Sequence, residues 1–129
     1  MTAPRIAAIS IDLDEIACYH AIHGLGSPAE ASRHAVYDRA IPRFEALFKE
    51  AGIHATFFAI GRDLQRGQNA EALQRLHRQG HEIGNHSYSH HYDFSRRSSE
   101  DIHHEISRGI EAVKGVTGEA PVGFRAPGY

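Results

Sequence analysis

The chain has one cysteine, Cys18, so it can form neither an intrachain disulfide nor a thiolate metal cluster. It has no tryptophan and one methionine. No apolar run approaches the roughly 20 residues that a membrane-spanning helix needs. The start, Met1-Thr2-Ala3-Pro4-Arg5 followed by Ile6 to Ile9, lacks the long apolar segment of a secretory signal. Charge of either sign is also not in excess: 14 Lys+Arg stand against 16 Asp+Glu, a formal charge of −2. That balance leaves no electrostatic footprint for nucleic acid or an anionic lipid surface, and Arg96-Arg97 is too short to create one. These absences predict a cytoplasmic protein with no nucleic-acid partner and no membrane span.

What the chain does have is histidine, eleven in 129 residues. Hydrophobic residues at 41% and charged residues at 23% fall in the range of a globular domain. The length suffices for one hydrophobic core but not for a complete α/β barrel. A single domain over residues 1–129 follows.

The apolar, β-branched run Ile6 to Leu13 reads as a buried strand that ends abruptly in Asp12-Leu13-Asp14-Glu15. No helical pattern begins at Ile16. Gly24, Gly26 and Pro28 mark a loop, with a short helix from Pro28 to His34. The spacing of Ile41, Phe44, Leu47, Phe48 and Ala51 predicts a helix over 37–51, with Pro42 in its first turn and Gly52 as its stop. Ala55 to Ile60 reads as a second strand. A helix over 69–79 then buries Ala72, Leu73 and Leu76, with Asn69 as N-cap and Gly80 as stop. Glu82-Ile83-Gly84 forms a brief third strand. A long helix opened by Ser98 or Ser99 turns Ile102, Ile106, Ile110 and Val113 inward and stops near Gly118. Pro121 to Phe124 enters a fourth short strand. The expected fold is α/β, with about four parallel strands alternating with helices.

In such folds the active site lies beyond the carboxyl ends of the strands. Asp12, Asp14, the pair His86 and His90, and Arg125 all fall at expected strand ends. In His86-Ser87-Tyr88-Ser89-His90 the i, i+4 spacing places two imidazoles on one face of a helical turn, close enough to grip one metal ion. With so many histidines, two solvated loop side chains are the plain alternative. Asp12 and Asp14 are two apart, so an extended backbone points both carboxylates to the same side. Like charges at one edge repel unless a cation lies between them. One carboxylate and two imidazoles suit a catalytic zinc, and a second carboxylate nearby is then available to take a proton from water. Arg125, ahead of the turn Ala126-Pro127-Gly128-Tyr129, supplies a counter-charge and backbone N–H groups that can face an anion.

Together these stretches resemble, in order and spacing, the first three motifs of the polysaccharide deacetylases, the NodB-homology enzymes of carbohydrate esterase family 4. Ala55-Thr56-Phe57-Phe58 and Gly80-His81-Glu82-Ile83-Gly84-Asn85 resemble the run-ups to those motifs. The resemblance implies a partial, distorted (β/α) barrel and hydrolysis of N-acyl groups on the amino sugars of a polysaccharide or glycan precursor. It implies a divalent metal, zinc before others, held by Asp14, His86 and His90. Asp12 becomes the general base, Arg125 its ion-pair partner, and the N–H of Gly128 or Tyr129 the oxyanion donor. Ser87 would orient the loop.

Two positions depart from the family pattern. Leu13 separates aspartates that are often adjacent, as in an Asp-x-Asp branch, and Gly128 stands where many members carry tyrosine. The family's later motifs, with a histidine acting as general acid, would lie beyond Tyr129, so the chain reads as the N-terminal portion of a longer deacetylase. His20, His23 and His91 are the substitutes within reach of the sequence. A half barrel exposes a strand edge and an apolar face that invite pairing with another chain, a homo-oligomer included. The competing expectation is a catalytically incomplete or non-catalytic domain that binds metal or glycan. A phosphoesterase is disfavoured, because a second set of Asp/His ligands and a basic phosphate cradle are both missing.

Overall fold

Three short strands, β1 (Ser10–Asp12), β2 (Thr56–Ala59) and β3 (Glu82–Asn85), pair in parallel in the order β1-β2-β3 in a computed structural model that describes residues 3–128. Helices connect them: α1 (Ile16–Ile22), α2 (Ile41–Ala51), α3 (Gly67–Arg78) and, after β3, α4 (Ser99–Thr117). Because all strands run the same way, their carboxyl ends share one edge. The register puts Asp12, Phe58 and Gly84 in one row there, with Ala59 and Asn85 paired one step further.

The central strand explains the core. Phe57 and Ala59 are fully buried and share one core with Ile41 and Phe48 from α2, Ala72, Leu73 and Leu76 from α3, and Val113 from α4. Phe44, Phe48 and Phe57 pack ring against ring, and His81 joins them with its centroid 5.3 Å from Phe57. Burial, with His54 nearby, lowers the His81 pKa, and its Nδ1 accepts the Ala55 N–H at 3.1 Å. His81 is a neutral part of the core and no ligand.

Helix ends follow the expected chemistry at Gly52 and Gly118, both left-handed C-caps, and at Ser98, whose hydroxyl accepts the Asp101 N–H. Elsewhere packing overrides pattern. A helix does begin at Ile16, directly after the acidic strand end. The expected helix from Pro28 to His34 is a single 3₁₀ turn at Glu30–Ser32. Ile6 is 89% exposed, so the first strand is only three residues long. The fourth strand reduces to one parallel bridge between Asn85 and Phe124. Leu47 faces solvent, and Asn69 lies inside α3, where its amide donates to the Asp63 carbonyl at 2.8 Å. On α4 the deeply buried stripe is Glu105, Gly109 and Val113, and Ile102, Ile106 and Ile110 flank it half-buried.

Candidate metal centre

The row of strand ends assembles the site. Leu13 is fully buried and donates its N–H to the Phe58 carbonyl, so its neighbours Asp12 and Asp14 are turned together to the opposite side. Beyond β3 the His86 N–H donates to the Ala59 carbonyl at 2.9 Å, which seats its ring beside those aspartates. The Asn85–Phe124 bridge, with Arg125 N–H donating to the Asn85 carbonyl at 3.0 Å, brings Arg125 to the same edge.

Asp14 Oδ1 lies 3.2 Å from His86 Nε2, and Asp14 Oδ2 lies 3.1 Å from His90 Nε2. One donor atom from each of the three residues falls within 4.8 Å of the others. Asp14 Oδ1 and both ring nitrogens of His90 are buried without a hydrogen-bond partner among the described residues. Orphaned donors that converge in this way suit a divalent cation, and tetrahedral zinc would separate its ligand atoms by ~3.3 Å. The donor set of one carboxylate and two imidazoles therefore fits such an ion. Burial acts to raise the Asp14 carboxyl, but contact with His86 and His90, and their charge, hold it below the ordinary carboxylate range. Burial acts to lower His86, and its contacts with Asp14 and the Arg125 carbonyl outweigh that and raise it.

The imidazoles do not meet on a helical turn. Residues 86–90 form a loop in which Ser87 (φ 63°) and His90 (φ 54°) are both left-handed, and the ring centroids end 4.8 Å apart. His86 Nδ1 donates to the Arg125 carbonyl at 2.7 Å; since a carbonyl can only accept, this bond fixes the tautomer and leaves Nε2 facing the aspartates.

Asp12 stands beside this cluster, its Oδ2 3.8 Å from His86 Nε2. Its other oxygen accepts from Arg125 Nη1 at 2.6 Å, while Arg125 Nη2 donates to Ser10 Oγ at 2.7 Å. The guanidinium lies over the Phe58 ring, 4.3 Å from its centroid. Gly84 makes room for that ring, because a Cβ there would sit 2.6 Å from it. Gly128 also needs its residue type: its φ is +62°, and a Cβ would crowd Tyr92 at 3.1 Å. Tyr92 packs edge-on to His90 at 4.9 Å and donates its hydroxyl to the Cys18 carbonyl. Tyr129, the alternative oxyanion donor, lies outside the described residues.

The three histidines weighed as substitute acids face other partners: His20 bonds the Gly26 carbonyl, His23 lies tilted against the Tyr19 ring, and His91 turns toward Glu105. Tyr92, Ser10 and Glu105 support the site without having been singled out in the sequence, and Phe58 entered there only as part of the run-up Ala55-Thr56-Phe57-Phe58.

The profile of the polysaccharide deacetylase family matches residues 34–128. The chain belongs to that family. A peptidoglycan deacetylase of Helicobacter pylori is 31% identical over 98% of this chain and 43% of its own length. A chitin deacetylase of Colletotrichum lindemuthianum is 32% identical over 67% of this chain and 36% of its own. A solved structure from Mycobacterium smegmatis, assigned as a polysaccharide deacetylase, superposes with a TM-score of 0.71 at 31% identity. That match covers 93% of this chain and 42% of the other. The fold is the partial, NodB-like α/β barrel, and the chain spans less than half the length of these relatives. No helix among the described residues is long and apolar enough to cross a membrane.

Proposed function

We propose that the protein is a metal-dependent hydrolase that removes N-acetyl groups from the amino sugars of a polysaccharide or glycan precursor. The observation that carries this reading is the convergence of Asp14, His86 and His90, with Asp12 ion-paired to Arg125 alongside, in a chain of the deacetylase family. Asp14, His86 and His90 would hold a divalent ion, zinc before others. Bound there, the ion would acidify a water and polarise the acyl carbonyl.

The remaining work falls to side chains of this protein. Asp12 takes the proton of the attacking water through the oxygen that Arg125 leaves free. Arg125 fixes that carboxylate with one nitrogen while the other is held on Ser10. The turn at Gly128 lies against Tyr92, the neighbour of His90, where a backbone N–H can face the oxyanion of the acyl group. A proton must also reach the leaving amine, and His20, His23 and His91 are all engaged elsewhere.

That last observation favours a second reading for these 129 residues, a catalytically incomplete unit that binds metal or glycan. Acetate release separates the two. Incubation with N-acetylated chitin or peptidoglycan oligomers should release acetate in a metal-dependent way, and the Asp12→Asn variant should not. Metal uptake without acetate release from any of these glycans supports the second reading. The cytoplasmic location expected from the sequence belongs to the same proposal and is read by cell fractionation.

A further inference from the structure

The face of α4 that carries Val113 into the core also carries a carboxylate to the histidine loop. Glu105 is 6% exposed, a rare place for an ionisable side chain unless it is engaged. Its Oε2 accepts the Ser89 N–H at 2.7 Å and its Oε1 accepts the Ser89 hydroxyl at 3.0 Å. His91 also faces it, with Nε2 3.9 Å from Oε1.

Ser89 immediately precedes His90. The loop adopts left-handed backbone at Ser87 and at His90, conformations that residues with a Cβ keep only where their surroundings hold them. The first half of the loop is pinned to the turn after β2: Gly61 N–H donates to the Ser87 carbonyl at 3.0 Å and Arg62 N–H to the Tyr88 carbonyl at 2.9 Å. The Ser87 hydroxyl then accepts the His90 N–H at 3.1 Å. Between these, Ser89 is gripped by Glu105.

The two imidazoles differ in how they are aimed. His86 is held through its ring, by the Arg125 carbonyl. Neither ring nitrogen of His90 has a well-formed hydrogen bond among the described residues; Nε2 faces Asp14 Oδ2 at 3.1 Å and the ring rests on Tyr92, so its aim depends on where the backbone places it. The helix that carries Glu105 is docked against the end of β3. Gly109, one turn further along α4, lets the Asn85 amide approach closely, and Asn85 Nδ2 donates to the Ile106 carbonyl at 3.0 Å.

We propose that Glu105 is the positioning residue of His90: its two-point grip on Ser89 holds the left-handed loop in the form that aims His90 at Asp14 and His86. This rests on the metal reading given above. Outer partners of metal ligands typically change affinity about 10- to 100-fold when removed.

The test compares wild type, Glu105→Ala and Glu105→Gln in the whole protein. Zinc affinity is read by chelator competition, the cobalt(II) absorption spectrum reports ligand geometry, and circular dichroism reports the fold. Glutamine keeps the reach: its carbonyl can accept the Ser89 N–H and its amide can donate to the Ser89 hydroxyl. Glu105→Ala should lose zinc affinity about 10- to 100-fold and alter the cobalt spectrum, with Glu105→Gln within about threefold of wild type. Wild-type affinity in Glu105→Ala, or a glutamine variant as weak as alanine, overturns the proposal. If Glu105→Ala does not fold, Ser89→Ala removes the hydroxyl arm alone; weaker zinc binding there supports the grip and unchanged binding overturns it. Amide exchange at Ser89 in metal-free protein separates the two readings. If wild type binds no metal, the metal reading fails, while faster Ser89 exchange in Glu105→Ala still supports the grip and unchanged exchange still overturns it.

Discussion

Arg125 and Asp12 are 113 residues apart in sequence and meet at 2.6 Å, across the edge where the parallel strands end. The contact is one arm of a fork, the other arm resting on Ser10 and the guanidinium plane on Phe58. Lysine offers a single ammonium and no plane, so Arg125→Lys cannot reproduce all three contacts. In the whole protein, Arg125→Lys should keep its metal and lose about 10- to 100-fold in kcat, the scale of one charged hydrogen bond. Steady-state kinetics with metal content measured on the same samples checks this. Unchanged kcat contradicts the role of Arg125.

Two glycines on α4 make a matched pair. A Cβ on Gly109 would overlap the Asn85 amide, whereas one on Gly115 meets nothing within 4 Å. Gly115→Ala should stabilise by about 0.5–1 kcal/mol through helix propensity alone. Gly109→Ala gains the same propensity but must displace Asn85, and should cost a net ~1–3 kcal/mol. Urea unfolding of the two variants beside wild type gives both signs.

Asp63 provides a pH dependence. Its Oδ2 is buried without a partner among the described residues, and burial raises its carboxyl above the ordinary 3.8 although Arg62, His90 and His34 pull it down. Folded protein then keeps a proton that unfolded chain has already lost. Stability from this group is complete below 3.8 and declines as pH rises through the raised value. Asp63→Asn removes the ionisation, so its Tm relative to wild type should grow as pH rises from 3.8 through the raised value and then level off. A difference that does not grow with pH contradicts the assignment.

The sequence showed the alternation of strands and helices, because apolar runs and glycine stops act locally. It also showed Asp12, Asp14, His86, His90 and Arg125 at strand ends, since a parallel sheet gathers those ends at one edge. What it hid was settled by distant contacts. The helical spacing of His86 and His90 suggested a helical turn, yet bonds from Gly61, Arg62 and Glu105 hold a left-handed loop instead. Ile102, Ile106 and Ile110 looked like the inner face of α4, but docking against Asn85 needs Gly109 and turns Glu105 inward. Ile6 is apolar and β-branched, yet no described neighbour covers it, and it lies 89% exposed.

The central claim is that Asp14, His86 and His90 hold one metal ion, and metal content measures it most directly. Elemental analysis of wild type, Asp14→Ala, His86→Ala and Asp12→Asn, purified in parallel and loaded with zinc, should give one ion per chain in wild type and in Asp12→Asn. Asp14→Ala and His86→Ala should give little or none. Full zinc occupancy in the Asp14 and His86 variants would contradict the account.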